Sequence, residues 1–111
     1  MDEAKRRKAA NEAVFREVNE KMESLQRTFA VAEHQPLNIV CECDRLDCSE
    51  RLTVQLETYE KIRSDSTLFL VRPGHKDDSV EDVIDTGGDY MVVRKRRGES
   101  REIAEQTDPR T

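Results

Sequence analysis

The sequence predicts an α+β fold: a long N-terminal helix followed by a small, mostly antiparallel sheet with one short helix. Three observations predict it. The first 32 residues contain no Gly or Pro and are dominated by Ala, Glu, Lys and Arg, which are strong helix formers. After Pro36 the pattern changes to short β-branched and aromatic runs separated by turn residues. All three cysteines of the 111-residue chain fall within eight positions, Cys41-Glu42-Cys43-Asp44-Arg45-Leu46-Asp47-Cys48. Such crowding ties the second region to a metal ion, and small domains with thin cores often need one.

The helix is expected from Asp2 to about Ala32, with Asp2 and Glu3 favouring its start through the macrodipole. Phe15, Val18, Met22, Leu25 and Phe29 recur at steps of 3, 4, 3 and 4 and predict a buried apolar stripe. Extended backwards, the same line carries Asn11 and Lys8. The first turns, Ala4 to Asn11, therefore have no apolar face and are expected to project as an arm. Self-pairing through the stripe is disfavoured, because Asn19, Lys21, Gln26 and Thr28 beside it offer no complementary charges.

Leu37–Cys41 reads as a strand that delivers Cys41 and Cys43 to one side, and residues 44–50 return Cys48. Leu52–Leu56 alternates as a second strand, and Glu57–Arg63 as a short helix with Tyr59 and Ile62 inward. Thr67–Val71 is a third strand, ended by Arg72-Pro73-Gly74-His75. Val80–Asp85 and Tyr90–Lys95 form a hairpin about Gly87-Gly88. From Arg96 onward the chain reads as a polar, flexible tail in which Ile103 and Ala104 add at most a helical turn. The expected organisation is thus residues 1–35 as helix, 36–95 as the metal-binding domain and 96–111 as tail.

Charge is abundant, at 39% of residues, with a net charge of -5 that is unevenly distributed. Residues 37–92 hold six basic and thirteen acidic residues, while residues 93–111 hold six basic and four acidic. An acidic central region repels phosphate backbones, so nucleic-acid binding would rest on the ends. No apolar run has the length of a membrane span, and no hydrophobic stretch follows the charged N-terminus, which points to the cytoplasm. Three cysteines in a reducing compartment suit a metal better than a disulfide framework.

The thiolate is the form of cysteine that binds metal, and zinc favours four sulfur or nitrogen donors in a tetrahedron. Cys41, Cys43 and Cys48 supply three. His75 is preferred as the fourth because Pro73-Gly74 builds a rigid turn at the end of an apolar strand. His34, the other histidine, lies near a helix end, where a histidine often caps the last carbonyls. Four filled positions make a closed, structural Zn2+ site. Glu42 and Glu50 read as solvated neighbours of the loop rather than as general acids or bases. Neither the deaminase pattern nor a P-loop, G-x-S-x-G or G-x-G-x-x-G motif occurs, so no enzyme is expected.

Asn11-Glu12-Ala13, Phe15-Arg16, Val18-Asn19-Glu20, the C-x-C-x4-C cluster, Val71-x-Pro73-Gly74-His75 and Thr107-Asp108-Pro109 together resemble a family of short, uncharacterised actinobacterial proteins. The resemblance spans nearly the whole chain. It implies that Cys41, Cys43, Cys48 and His75 belong to one motif and that the N-terminal helix is integral. The chain departs from that group at Asp44, where the group usually has Gly.

The leading functional reading is a non-enzymatic, zinc-binding interaction or regulatory protein that docks on a protein partner through its N-terminal helix. Lys5, Arg6, Arg7 and Lys8 are the expected contact residues. The alternatives are a nucleic-acid-associated regulator that uses the basic ends and, more remotely, an open-site zinc enzyme or metal carrier. Against nucleic acid, no aromatic residues interleave the basic runs to stack bases.

Overall fold

A computed structural model describes residues 3–29, 36–45 and 47–110. The expected α+β arrangement is present: α1 (Glu3–Phe29), β1 (Leu37–Val40), β2 (Arg51–Val54), α2 (Leu56–Arg63), β3 (Leu68–Val71), β4 (Glu81–Thr86), β5 (Met91–Lys95) and α3 (Glu99–Gln106). The strands form two antiparallel sheets rather than one. β1 pairs with β2, and β5 lies between β3 and β4.

Period-2 alternation explains how β3 serves both cores. Leu68 and Leu70 point into a cluster with Leu37, Ile39, Leu52, Val54, Tyr59, Ile62 and Val92. Phe69 and Val71 point the other way, against Cys41, Cys43, Val93 and Ala104. All four β3 residues are buried, as a strand covered on both faces requires. Cys41 and Cys43 are thus core residues of the second cluster, each 1% exposed.

The N-terminal helix packs in the opposite sense to the sequence expectation. At about 100° per residue, Ala9, Glu12, Arg16, Asn19 and Glu23 share one face, and these are its buried residues. Val14, Val18 and Leu25 lie on the other side and are 51%, 39% and 59% exposed. Phe15 and Met22, at the edge of the apolar stripe, are half-buried.

The physical reason is that Glu12, Arg16 and Asn19 on the buried face each meet specific partners, although Arg16 Nε and Glu23 Oε2 are buried without a hydrogen bond. Lys95 Nζ donates to Glu12 at 2.6 and 2.7 Å and to Glu81 at 2.6 Å. Arg16 donates to the Ser66 and Ala104 carbonyls, both at 2.7 Å, and lies over the Phe69 ring. Asn19 Nδ2 donates to the Val40 carbonyl at 2.9 Å, while its Oδ1 accepts from the Val40 N–H at 2.8 Å. A buried polar group with its partners in place avoids the desolvation penalty that the periodicity rule assumes.

Two further expectations are corrected. The first turns do not project as an arm: Ala9 is buried and Asn11 Nδ2 donates to the Asp44 carbonyl at 3.0 Å. The radius of gyration, 13.4 Å, is close to the roughly 13 Å of one domain of this length. Residues 99–106 are a helix rather than a loose tail, because Ala104 fills the second core and Arg16 ties the end of α3 to α1. The described residues therefore contain two short helices, not one.

Candidate metal centre

Three chain segments converge on the edge of the second core. The segment that follows β1 contributes Cys41 and Cys43, whose alternate positions on an extended chain put both sulfurs on one side. The loop before β2 returns Cys48. The turn after β3 contributes His75, where the His75 N–H donates to the Arg72 carbonyl at 3.0 Å and Gly74 has φ +89°. Proline second and a positive-φ glycine third define a type II turn, so Arg72-Pro73-Gly74-His75 encodes the geometry locally.

The ligand atoms of Cys41, Cys43, Cys48 and His75 all lie within 4.8 Å of one another. His75 Nδ1 is 3.6 Å from both Cys41 Sγ and Cys48 Sγ. A tetrahedral ion bonded at about 2.3 Å to sulfur and about 2.05 Å to nitrogen separates the two donors by about 3.6 Å. The cluster therefore has the donors and the spacing to hold one metal ion. The cysteines form no disulfide. His34 lies outside the described residues.

Cys41 Sγ also accepts the Arg72 N–H at 3.3 Å. A hydrogen bond of this kind favours the thiolate. The hydrogen bond with Cys43 drives the Cys41 thiol up, and the same bond brings Cys43 down to about 5. Burial raises Cys48. Asp44 has no positive φ, so its backbone does not require the glycine of the resembling group.

Glu42 is the residue that sequence reasoning misplaced. It is not solvated but fully buried, and it bonds three segments. Its carboxylate accepts from Arg63 at 2.9 and 3.0 Å, from Asn19 at 2.7 Å and from the Leu70 N–H at 2.9 Å. The Glu42 N–H in turn donates to the Leu70 carbonyl at 2.8 Å. Lying between Cys41 and Cys43, it locks the metal-binding segment to β3, α2 and α1. The alternation Cys-Glu-Cys in a strand was the available signal, since a residue between two inward cysteines points to the other face, here also covered. Glu50 is exposed as expected.

Lys5, Arg6, Arg7 and Lys8 are all exposed. They are not brought to the metal centre, although Lys8 lies 3.8 Å from Asp44 and 4.0 Å from Asp77, and Arg6 is 4.0 Å from Glu99. No helix among the described residues is long and apolar enough to cross a membrane. No protein-family model, curated protein or solved structure matches the chain.

Proposed function

We propose that the protein is a non-enzymatic, zinc-stabilised interaction module. The observation that carries the metal reading is the convergence of three sulfurs and one imidazole nitrogen within 4.8 Å of one another, with the nitrogen 3.6 Å from two of the sulfurs, as a tetrahedral ion requires. Soft thiolates with one imidazole select zinc among the common divalent ions. Four protein donors fill the coordination sphere and leave no position for a substrate, which makes the ion structural. It would join the segment that follows β1, the return loop and the turn after β3, stapling the two sheets at the edge of a small core. Structural zinc contributes about 10 kcal/mol or more of apparent binding free energy, which appears as folding free energy.

The interaction reading rests on the outward face of α1. Arg7, Val14 and Lys21 recur every seven residues, with Val18 and Leu25 beside them, giving an exposed surface of apolar side chains flanked by cations. An acidic protein surface with an apolar centre is its chemical complement. Chelation should unfold the β-region cooperatively, and a full thermal transition in excess chelator would refute the structural role of the metal. For docking, co-purification of one partner should be lost in an Arg7→Glu, Val18→Glu variant of unchanged stability. Retention of that partner, or loss of nucleic acid instead, would overturn the protein-docking reading.

A further inference from the structure

The two basic runs of the sequence meet at one cavity, away from the metal centre. Lys5 of the first turn of α1 and Arg96, Arg97, Gly98 and Ser100 line a depression of about 570 Å³. That volume falls within the roughly 300–1,000 Å³ of small-molecule sites. Arg96 is engaged elsewhere, donating to Asp82 at 3.0 Å and to the carbonyls of Asp78 and Glu81. Arg94 is paired with Asp65, and Lys95 is buried on Glu12 and Glu81. Arg97 makes no hydrogen bond or ion pair with any described residue, which leaves an uncompensated cation at the cavity.

The N-terminus of α3 opens on the same space. Its N-cap is Gly98, at φ +140°, with no side-chain cap, and the first helical bond runs from the Glu102 N–H to the Gly98 carbonyl. The Ser100 and Arg101 N–H groups have no partner among the described residues, as expected for an uncapped first turn. A second, independent observation is Ser100 itself. The residue is only 7% exposed and lines this cavity, and its side chain makes no hydrogen bond with any described residue. Ser100 lines both this cavity and the much smaller one beside Glu12 and Lys95. A buried hydroxyl without a partner in the protein is expected to find one in solvent or a ligand.

We propose that this cavity binds the phosphate group of a small phosphorylated molecule, with the α3 N-terminal amides and the Ser100 hydroxyl donating to its oxygens and Arg97 neutralising its charge. Backbone amides at a helix N-terminus favour phosphate through both hydrogen bonding and the helix dipole. Glu99 also lines the cavity and opposes an anion; its Oε1 lies 4.0 Å from Arg6. The volume left beyond one phosphate fits an organic body on the ligand. The site uses none of the metal ligands and stands whether or not the docking reading does.

The test is an amide-resolved NMR titration of the intact, metal-loaded protein with inorganic phosphate and with phenyl phosphate, at ionic strength held constant with chloride. Saturable shifts at the Gly98, Ser100 and Arg101 amides are expected, with the monoester binding more tightly. Arg97→Glu should weaken binding at least about tenfold, consistent with loss of a charge-assisted contact. Ser100→Ala should weaken it severalfold and Glu99→Gln should tighten it, with thermal melting confirming that each variant is folded. No saturable shift, the same shifts with chloride alone, or an unchanged Arg97→Glu affinity overturns the site. Binding of inorganic phosphate alone overturns its assignment to a phosphorylated molecule.

Discussion

Replacing Lys95 with Met removes the cation that bridges two buried carboxylates, Glu12 and Glu81. The ammonium and both acids are at most 4% exposed, and Nζ lies 2.6–2.7 Å from three carboxylate oxygens. At an effective dielectric of about 20, each ion pair at that range is worth roughly 6 kcal/mol before desolvation is subtracted. Removing one partner of a buried pair leaves a net loss of about 3–5 kcal/mol. At roughly 4 °C per kcal/mol, Lys95→Met should melt about 12–20 °C lower at pH 7.

The loss should depend on pH in a definite direction. Burial already holds the Glu12 carboxyl well above its ordinary 4.5, with Lys95 opposing that rise and Glu81 adding to it. Without Lys95 it rises further. A raised carboxyl contributes stability that is present below its unfolded value and lost as pH rises through its folded value. The variant's deficit should therefore be largest at neutral pH and shrink toward pH 5, where the Glu12 carboxyl takes up its proton. Calorimetric melting of both proteins at pH 5, 6 and 7, with metal held in excess, measures it. A deficit under 1 kcal/mol at pH 7, or one that does not change with pH, would refute the argument that this triad fixes α1.

Three other outcomes follow from the same structure. Asn19→Ala breaks two bonds to Val40 and one to Glu42 and should lower stability by about 1–3 kcal/mol in urea denaturation. Gly74→Ala meets no atom within 4 Å, so its effect is purely conformational: about 1–2 kcal/mol of left-handed strain, read as weaker metal retention in a competition with a chromogenic chelator. The double variant Val18→Glu, Leu25→Glu should change stability by less than about 0.5 kcal/mol per site, since both side chains are exposed, whereas a stripe buried in the core would lose several.

The elements were legible wherever local chemistry decides them. The change from helix-forming to β-branched residues at Pro36 separates α1 from the strands, and Pro73-Gly74 encodes the turn that presents His75. The four candidate ligands were legible from spacing and from that turn, and the structure brings them together. What stayed hidden depends on partners far apart in sequence. Glu12 is buried because Lys95, 83 residues away, meets it, and Arg16 because the Ala104 carbonyl, 88 residues away, accepts from it. Periodicity sees only the polarity of Glu12, Arg16 and Asn19, not the groups that satisfy them, so it turned α1 around. The same blindness placed Glu42 at the surface and left α3 as a tail, because the face of Ala104 is apolar only once Phe69 and Val93 are beside it.

The central claim, one structural zinc held by Cys41, Cys43, Cys48 and His75, is tested most directly by X-ray absorption at the zinc edge on the purified protein together with its His75→Ala variant. The account predicts about one zinc per chain, with three sulfur neighbours near 2.3 Å and one nitrogen near 2.05 Å, the nitrogen of imidazole origin being lost in the variant. A protein that folds without metal, or a zinc shell that keeps its imidazole when His75 is replaced, would contradict it.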